Sequence, residues 1–414
     1  MIRLNAQHLV ASLSKIKPVM EITKKGQNVL IRVSENEMRV CYSDGQHAII
    51  DKIDVMSTEQ GEMEKMEFVA DYAKLNAVLG NCTSSTSIGV EPIEISLDSN
   101  NIMTISATKF ISASGTDMDG RVVSRMNHKM QVFDVKSNIQ FGVMTRMNYD
   151  SLFDIESYDE WSRAELKDIM SRLCSDEKEI VMYFSTLDNN AKAKNLNHGS
   201  IIKAPSCQTN GFSIRTLTAN AMLEVVSRIG GDKVKISTDN QRFASFISEN
   251  DKCAVWFEMA NPNTIDKRAF EMYASVKVDD IMMKIHRTGF IGGIEAVMST
   301  SNADKNIIKI VQTENGYALN VSSASAGGSV LSEVNVEIDQ IKIADGINPL
   351  SYKAVMLVKE FKRILEKCRY GWVIFDVNMA QNRFVKVVDV EEQTEATART
   401  YVEKASYFAN LEEN

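Results

Sequence analysis

The sequence has few of the features that mark secreted, membrane-spanning or metal-binding proteins. No Cys-x-x-Cys pair occurs, and the wide spacing of the cysteines is typical of reduced thiols in a cytoplasmic protein. The six cysteines lie at positions 41, 82, 174, 207, 253 and 368. No run of about 18 apolar residues occurs, so we predict no membrane-spanning helix and no membrane partner.

The motifs of common enzymes are also missing. The chain contains no His-Glu-x-x-His, no Walker A loop, no Gly-x-Ser-x-Gly and no Gly-x-Gly-x-x-Gly. The Gly-Gly pairs at 230–231, 292–293 and 327–328 are expected to end helices or form turns rather than to bind phosphate. The sequence therefore predicts no enzymatic activity, no catalytic residue, no metal site and no cofactor.

Length and composition indicate a multidomain globular protein. The chain has 414 residues, of which 44% are hydrophobic and 25% are charged. A single core stops growing at roughly 250–300 residues, so two to four domains are expected. The net charge is −8, which would repel nucleic acid if it were spread evenly. The distribution of charge is therefore more informative than its sum.

An amphipathic helix pattern recurs along the chain. Apolar residues at i, i+3, i+4 and i+7 place one apolar stripe on a helix. Two weaker copies lie in residues 5–20 and 279–289, the second opening on Asp279 and Asp280 as a candidate N-cap. The four clear copies are Leu75–Val78–Leu79–Cys82, Leu166–Ile169–Met170–Leu173, Met222–Val225–Val226–Ile229 and Phe361–Ile364–Leu365–Cys368.

A pair of alternating strands around a polar turn follows each of these helices, which is typical of a hairpin. A short strand also precedes several of the helices, so the repeat unit is β-α-β-β, often with one further strand such as CAVWFEM. The strands before helices are MEFVAD, FSIRTL, MYASVKV and SYKAVM. The hairpins are VLIRV/MRVCY, IEISL/IMTISA, EIVMYFS/AKAKN, KVKIS/RFASFIS, IIKIVQ/YALNVS and WVIFDV/RFVKVV.

Six such units pair into three predicted domains of the α+β class. The predicted domains are residues 1–130, 131–266 and 267–414. A helix with one apolar face requires a sheet beneath that face and a polar environment above it. Each domain is therefore expected to place two helices on β-sheet, with the outward faces of the helices available for function.

Positive charge is concentrated on the predicted helices. The six helix segments together carry a formal charge of +6, so the remainder of the chain carries −14. This segregation suits a surface that meets the phosphates of duplex DNA. Lysine and arginine are also good helix formers, so exposed helix faces alone could account for them. The candidate DNA-binding residues are Lys15, Lys17, Lys24, Lys25, Lys74, Arg163, Lys167, Arg172, Arg228, Lys284, Arg287, Lys359, Lys362, Arg363 and Lys367.

Three stretches of the chain resemble one known family. Residues 212–259, from FSIRTL to CAVWFEM, resemble the second half of the middle domain of bacterial DNA sliding clamps, the β subunit of DNA polymerase III. Residues 272–339 resemble the start of the third clamp domain, and residues 5–45 resemble the opening of the first. The resemblance spans nearly the whole chain and marks a divergent bacterial or phage-encoded clamp.

This resemblance implies a ring of two copies and a set of partners. In the clamp family, two three-domain chains close head to tail, with helices lining the hole and sheets outside. The resemblance implies that the sheets run continuously across the subunit interface, from the first domain to the third. The implied partners are double-stranded DNA, a replicative DNA polymerase, a clamp loader and a second copy of the chain. The implied location is the cytoplasm of a bacterium or of a phage-infected bacterium.

The resemblance also implies a pocket for partner peptides between the second and third domains. The family's turn at this pocket reads Asp-Gly-His, whereas this chain has Asn197-His198-Gly199, and the family's closing Met-Pro step is absent. Ordinary packing in a core or at its rim is the alternative explanation for each residue. The pocket residues implied are Leu196, Gly199, Ile201, Ile202, Phe270, Tyr401 and Val402.

Two other classes of function stay open at this point. A structural or assembly protein could reuse paired β-α-β-β repeats without binding DNA, although it would have no reason to keep its helix faces basic. An enzyme built on a repeat scaffold would need titratable groups clustered in a cleft, which the spacing of such residues does not indicate. The leading hypothesis is a DNA sliding clamp, a polymerase processivity factor.

Overall fold

The computed structural model divides the protein into two compact units, and each unit is described by itself. The first holds the described residues within 2–167 and 217–259, and the second holds those within 168–205, 211–216 and from 260 onward. The three-domain division stays a prediction. The described residues are 2–24, 27–34, 36–56, 66–83, 93–111, 121–135, 141–173, 181–185, 189–194, 198–205, 211–238, 242–261, 270–271, 273, 280–300, 305–324, 330–379, 384–395 and 398–412.

Apart from α3 and the position of the fifth predicted helix, the helices and strands of the described residues follow the predicted repeat. The helices are α1 (Ala6–Thr23), α2 (Tyr72–Thr83), α3 (Gly142–Arg146), α4 (Arg163–Leu173), α5 (Thr216–Arg228), α6 (Arg287–Thr300) and α7 (Val358–Lys367). The strands are β1 (Ile2–Leu4), β2 (Asn28–Ser34), β3 (Glu37–Ser43), β4 (His47–Asp54), β5 (Met66–Asp71), β6 (Ile93–Leu97), β7 (Ile102–Ile111), β8 (Arg121–Gln131), β9 (Phe133–Asp134), β10 (Asp159–Ser162), β11 (Val181–Ser185), β12 (Asn190–Lys194), β13 (His198–Lys203), β14 (Phe212–Arg215), β15 (Lys233–Ser237), β16 (Phe243–Ser248), β17 (Cys253–Glu258), β18 (Ile281–His286), β19 (Lys305–Thr313), β20 (Gly316–Ala324), β21 (Val330–Ile343), β22 (Lys353–Leu357), β23 (Trp372–Val377), β24 (Phe384–Glu395) and β25 (Ala398–Glu412).

The first unit contains two antiparallel sheets. One has four strands in the order β1-β6-β7-β8. The other has nine strands in the order β10-β15-β16-β17-β4-β3-β2-β5-β9. Strands β17 and β4 pair directly, with Ala254 opposite Ile50. Strands from the first and second predicted domains therefore share one sheet.

The second unit contains a single twelve-stranded sheet that closes on itself. Its order is β14-β11-β12-β13-β25-β22-β19-β20-β21-β18-β23-β24, and β25 also pairs with β24. The long strand β21 makes this possible, because residues 330–337 pair with β20 and residues 338–343 pair with β18. The eight strands β18 to β25 thus form a closed cycle, and α6 and α7 pack together within the same unit.

The predicted apolar stripes of four helices are buried, whereas the stripe of α2 is buried at Leu75 and Leu79 and half-buried at Val78 and Cys82. Leu9, Leu13 and Ile16 of α1 are fully covered, which confirms the weaker N-terminal copy of the pattern. The stripes of α4, α5 and α7 are buried at every predicted position. In the second unit the rings of Phe290 and Phe361 meet edge to face at 5.3 Å between centroids. Burial of these stripes provides most of the stability of such helices, because short helices are marginal alone.

The predicted position of the fifth helix is wrong. Residues 279–289 were expected to be helical, but Ile281–His286 form strand β18 and the helix runs over Arg287–Thr300. The apolar residues Ile281, Met283 and Ile285 recur at the two-residue period of a strand and are all buried. The Asp280 carboxylate accepts a hydrogen bond from the backbone N–H of Met379, 2.7 Å away, rather than capping a helix.

The Gly292–Gly293 pair, which was expected to end a helix or form a turn, lies inside α6. A Cβ built on Gly293 would lie 2.6 Å from Cγ2 of Val336 on β21. Only glycine therefore lets the helix approach the sheet so closely. A Cβ on the neighbouring Gly292 would meet no atom within 4 Å.

This difference predicts opposite effects for two adjacent glycines. Gly293→Ala is expected to lower the free energy of unfolding by about 1–3 kcal/mol, because the new methyl group overpacks the interface with β21. Gly292→Ala, its matched control, is expected to raise it by up to about 1 kcal/mol, because alanine is the better helix former. Urea denaturation followed by circular dichroism measures both. Equal effects at the two positions would contradict the close approach of α6 to β21.

Candidate functional site

The helices of the first unit carry several exposed cations. Lys17 and Lys24 on and just after α1, and Lys74 on α2, are exposed. The ammonium of Lys17 lies 3.7 Å from the Glu21 carboxylate, one helical turn away, and this solvated pair leaves the charge accessible. Lys17 and Lys74 therefore lie on outward faces of helices, and Lys24 lies directly after one. Lys25 lies outside the described residues.

Two other predicted cations of this unit make contacts within the protein. The ammonium of Lys15 lies 2.8 Å from the buried Asp51 carboxylate on β4. The guanidinium of Arg228, at the end of α5, donates to the backbone carbonyl of Ser14 on α1 and lies 3.2 Å from the Glu224 carboxylate. The Lys15 ammonium is thus held against the sheet under α1, whereas Arg228 is exposed despite these contacts.

Arg163 and Arg287 occupy matching positions, each as the first residue of a helix. Nη1 of Arg163 donates to the carbonyl of Ile229, just past the end of α5, at 2.5 Å. Nη1 of Arg287 lies 3.5 Å from the carbonyl of Leu365 in the last turn of α7. A cation at a helix C-terminus complements the helix dipole and the unpaired carbonyls. Both arginines therefore cap the second helix of a pair.

Arg172 is buried and belongs to an ionic cluster in the second unit. Its Nη1 lies 3.1 Å from Oδ2 of Asp389 on β24, and its Nε lies 2.9 Å from the Asp168 carboxylate. The backbone N–H groups of Arg369 and Tyr370 also donate to Asp389. Burial raises the pKa of the Asp389 carboxyl, whereas the hydrogen bonds from these backbone groups and the charge of Arg172 act to lower it. Since Arg172 is enclosed, it is not available to a ligand.

Lys284 is also enclosed, because it lies in β18 rather than on a helix. Its ammonium donates to the Tyr401 hydroxyl at 2.5 Å and lies 2.9 Å from the Asp339 carboxylate. The same ammonium lies 4.2 Å from the ring centroid of Trp372. Burial acts to lower the pKa of Lys284, but hydrogen bonds to Tyr401 and Asp339 raise it, so the side chain stays charged. Its inclusion among the outward helix cations was wrong.

Helix α7 separates its apolar and charged faces most completely. Val358, Phe361, Ile364 and Leu365 are buried, while Lys359 and Arg363 are exposed. The Arg363 guanidinium lies 3.1 Å from the Glu360 carboxylate on the same helix. Lys362 and Lys367 are half-buried, and Lys362 reaches the Glu295 carboxylate of α6 at 2.9 Å, which raises its pKa.

The helices as observed keep their excess of positive charge. The six helices of ten or more residues, α1, α2, α4, α5, α6 and α7, carry a formal charge of +5, although the chain carries −8. The exposed cations among the predicted set are Lys17, Lys24, Lys74, Lys167, Arg228, Lys359 and Arg363. These helices provide surfaces that can attract an extended polyanion.

The candidate peptide site centres on Gly199 and an aromatic cluster of the second unit. The Tyr273 ring stacks on Phe408 at 4.4 Å between centroids and meets Phe384 and Phe270 edge to face. A Cβ built on Gly199 would lie 2.7 Å from Cε2 of Tyr273. Strand β13 therefore holds this ring in place by presenting a residue without a side chain.

The structure brings together only part of the predicted pocket. Phe270 contacts the cluster through Tyr273, and Ile202 is buried beside Ala405 in the pairing of β13 with β25. Tyr401 lies seven residues from Phe408 on β25, which corresponds to about 23 Å along a strand.

Two further predicted pocket residues are exposed or half-buried, and one is not described. Val402 is 36% exposed and Ile201 is half-buried. Leu196 lies outside the described residues. Tyr401 and Val402 were assigned to the pocket by analogy with the clamp family, whose chains end soon after the last strand. In this protein strand β25 continues past these two residues to Glu412.

Gly199→Ala tests this cluster. The added methyl group is expected to displace the Tyr273 ring and to weaken binding of a partner peptide about tenfold or more, because a small misplacement in a packed site is costly. Fluorescence anisotropy with a labelled peptide of the cognate polymerase measures the affinity, and Gly292→Ala serves as a glycine control. An unchanged peptide affinity would mean that the Gly199 cluster is not part of the peptide site.

Sequence reasoning missed the residues that build this cluster. Tyr273, Phe384 and Phe408 were not selected, although Phe408 lies in the aromatic stretch SYFAN at the C-terminus. The adjacent aromatic residues Tyr407 and Phe408 in this stretch were the available signal. Asp389, the buried partner of Arg172, gave no such signal, because its neighbours on β24 are the Val residues of an ordinary strand.

Two searches of the described residues were negative. No helix there combines the length and the apolar character needed to cross a bilayer. No group of three or more His, Cys, Asp or Glu side chains in that part of the chain is arranged to hold a metal ion.

Comparison with known proteins gives a consistent result at the level of structure. No family model matches the sequence, and no curated protein matches it. The structure is similar to the DNA polymerase III β subunit of Thermotoga maritima, with 9% identity, a TM-score of 0.69, and coverage of 100% of this chain and 99% of that one. It is similar to the DNA polymerase III subunit β of Borrelia burgdorferi, at 12% identity and a TM-score of 0.70 with the same coverage. The sliding clamp of Caulobacter crescentus matches at 12% identity, a TM-score of 0.69 and the same coverage.

Proposed function

We propose that this chain, which has the fold of the DNA sliding clamps, encircles duplex DNA and tethers a replicative polymerase to it. Two copies would close head to tail into a ring, with the helices facing the DNA. The observation that carries the proposal is the segregation of charge. The helices carry +5 in a chain of net charge −8, and seven predicted cations on or beside them are exposed.

The proposed mechanism is electrostatic and topological rather than catalytic. Exposed lysines and arginines on the helices attract DNA phosphates without reading the base sequence. Such contacts are weak and salt-sensitive, so the protein can slide, while the closed ring prevents dissociation. The acidic remainder of the chain keeps the protein soluble and turns the DNA toward the helices.

Tethering explains how a protein without catalytic residues would speed synthesis. A polymerase bound to the ring stays near the primer end at a high effective concentration, so its rebinding becomes intramolecular. We assign the Gly199 cluster as the place where a short peptide of the polymerase docks. The same site would serve a clamp loader, which opens the ring to admit DNA. Both partners act in the cytoplasm, where replication takes place.

The proposed assembly is tested by imaging the particle and by measuring its mass in solution. Light scattering is expected to give a mass of two chains, and class averages of single particles are expected to show a closed ring with a central opening. The purified protein is expected to bind linear duplex DNA at low salt and to release it as salt rises. A particle without a central opening, or one that does not bind DNA at low salt, would support the alternative function of a structural or assembly protein.

A further inference from the structure

A groove with a volume of about 930 Å³ lies in the first unit, apart from both candidate sites described above. Three parts of the chain form its walls. They are the end of the ladder between β2 and β5, the turn between β6 and β7, and β9 with the residue that follows it. Ligand sites commonly have volumes of about 300–1,000 Å³, so the groove has room for several side chains of a peptide.

The most deeply buried residues of the groove are apolar. Val33 and Met66 are buried and lie directly opposite each other at the end of the ladder between β2 and β5. Leu97 and Val135 are half-buried and contribute apolar surface from the other two walls. Burying hydrocarbon against such a floor is favourable. The floor therefore suits aliphatic side chains, or the aliphatic part of a long polar one.

Carboxylates outnumber cations among the described residues that line the groove. Glu67, Asp98 and Asp134 are acidic and Arg32 is basic, so this lining carries a formal charge of −2. Nε of Arg32 lies 2.5 Å from the Glu67 carboxylate, and its Nη2 donates to the carbonyl of Thr145 at 2.9 Å. The positive charge of Arg32 is therefore offset within the protein, and the groove favours a cationic ligand.

Asp98 is well placed to meet such a cation. Its Oδ1 accepts hydrogen bonds from the backbone N–H groups of Asn100 at 2.8 Å and Ile102 at 2.9 Å. Neither bond uses the second oxygen, Oδ2, and the residue is exposed. One oxygen therefore fixes the carboxylate in place, and the other can accept a hydrogen bond from a bound ammonium or guanidinium group.

The turn that carries Asp98 is held firmly. The side-chain amide of Gln131 donates to the backbone carbonyls of Asn100 and Asn101, at 3.2 and 3.0 Å. The backbone N–H of Val132 also donates to the Asn101 carbonyl, at 2.9 Å. Asn101 has a φ of 59°, a left-handed conformation that asparagine adopts more readily than most residues. A wall fixed in this way loses little conformational entropy when a ligand binds.

We infer that this groove binds a short peptide segment of a partner protein in which a lysine or arginine lies beside apolar residues. An apolar centre with a polar rim is the usual anatomy of a protein-binding surface. The aliphatic part of the basic side chain would lie along Val33 and Leu97, and its head group would meet Asp98. Duplex DNA is disfavoured here, because carboxylates repel phosphates. The inference does not depend on the proposed ring, since every residue that carries it lies in the first unit.

Selection from a random peptide library tests the chemistry of the ligand. Heptapeptides displayed on phage would be selected on the full chain after removal of those that bind the Glu67→Gln/Asp98→Asn variant. The enriched sequences are expected to contain a lysine or arginine beside leucine, isoleucine, valine or methionine. Enrichment of acidic or uncharged sequences would overturn the inference. So would a library in which no sequence distinguishes the two proteins.

An isosteric variant then tests the role of Asp98, with one selected heptapeptide labelled with fluorescein as the probe. Asp98→Asn keeps an oxygen that can accept from the turn but removes the negative charge, so the dissociation constant is expected to rise about fivefold. Asp232→Asn, the matched control, removes the same charge from an exposed position of the same unit outside the groove. Its effect is expected to stay below about twofold, because distant charges are screened. Equal effects of the two variants, both folded by circular dichroism, would overturn the inference.

Ser99 allows a test of sign at a single position. It is an exposed residue of the same turn and lines the groove. Ser99→Lys is expected to raise the dissociation constant of the probe about fivefold and Ser99→Asp to lower it about threefold, because they place opposite charges beside the bound cation. Changes of the same sign, or no change in either variant, would overturn the inference. Binding of linear duplex DNA is expected to stay within about twofold in all these variants, so failure of the peptide site is distinguishable from failure of the proposed clamp function.

Discussion

Replacing Arg172 with methionine is expected to lower the free energy of unfolding by about 3–5 kcal/mol, because it leaves a buried carboxylate without its charged partner. Asp389 is 0% exposed, and Nη1 of Arg172 lies 3.1 Å from it. The backbone N–H groups of Arg369 and Tyr370 would still donate to Asp389, but they carry no full charge. Methionine fills a similar volume, so the loss reports the charge rather than a cavity.

Urea denaturation at neutral pH measures this loss. Lys167→Met, an exposed position on the same helix, is the matched control and is expected to change stability by less than about 0.5 kcal/mol. Arg172→Met/Asp389→Leu is expected to recover part of the loss, since no buried charge is left unpaired. An effect of Arg172→Met as small as that of Lys167→Met would contradict the buried cluster.

The pH dependence of the same variant has a definite sign. Burial already raises the pKa of Asp389, and removing Arg172 is expected to raise it further. A carboxyl whose pKa is higher in the folded state binds a proton there that the unfolded state has released. Stability then falls as pH rises through that interval and is regained on acidification. The difference between Arg172→Met and the unmodified protein is therefore expected to shrink as the pH is lowered from neutral.

Reversing charge on α7 is expected to have the largest effect on DNA binding. Changing Lys359, Lys362, Arg363 and Lys367 to Glu should weaken binding to linear duplex DNA about a hundredfold or more at low salt. The salt dependence, the slope of log K against log salt, should fall in magnitude by about three to four, because up to four phosphate contacts are lost. The mass of the particle should stay that of two chains.

The control variant changes the total charge of the protein by the same amount, but its four substitutions lie on strands. Lys203, Lys233, Lys305 and Lys353 are exposed residues of β13, β15, β19 and β22. Changing all four to Glu is expected to weaken binding much less at moderate salt, because distant surface charges are screened. Fluorescence anisotropy over a salt series compares the two variants. Equal losses would mean that DNA does not prefer the helices.

Much of the fold could be predicted from periodicity, because the long helices carry an apolar stripe and the hairpin strands are apolar runs around polar turns. The stripes on α4, α5 and α7 and all six hairpins were predicted close to their observed bounds. The prediction of the fifth helix failed because the Gly292–Gly293 pair was expected to end a helix or form a turn. The position of Gly293 in α6 is explained by the close approach of Val336 to the helix. The amino-acid sequence alone does not give the distance between these two residues.

The candidate sites were less predictable than the fold. Sequence places a lysine or arginine on a helix, but it does not say whether the head group meets solvent, a carbonyl or a carboxylate. Lys74 is exposed, Arg163 caps α5, and Arg172 is buried against Asp389. These three outcomes depend on residues far away in the chain. The same holds for Gly199, whose neighbour Tyr273 lies 74 positions later.

Retention on circular DNA tests the central proposal most directly. The protein would be loaded onto a nicked circle, with a cognate loader if one is needed, washed in high salt, and followed before and after the circle is cut. The account predicts salt-resistant retention on the circle and rapid loss from the linear product, because only topology holds a closed ring once phosphate contacts are screened. Equal loss from circular and linear DNA, by a particle shown to be a closed ring and loaded at low salt, would contradict it.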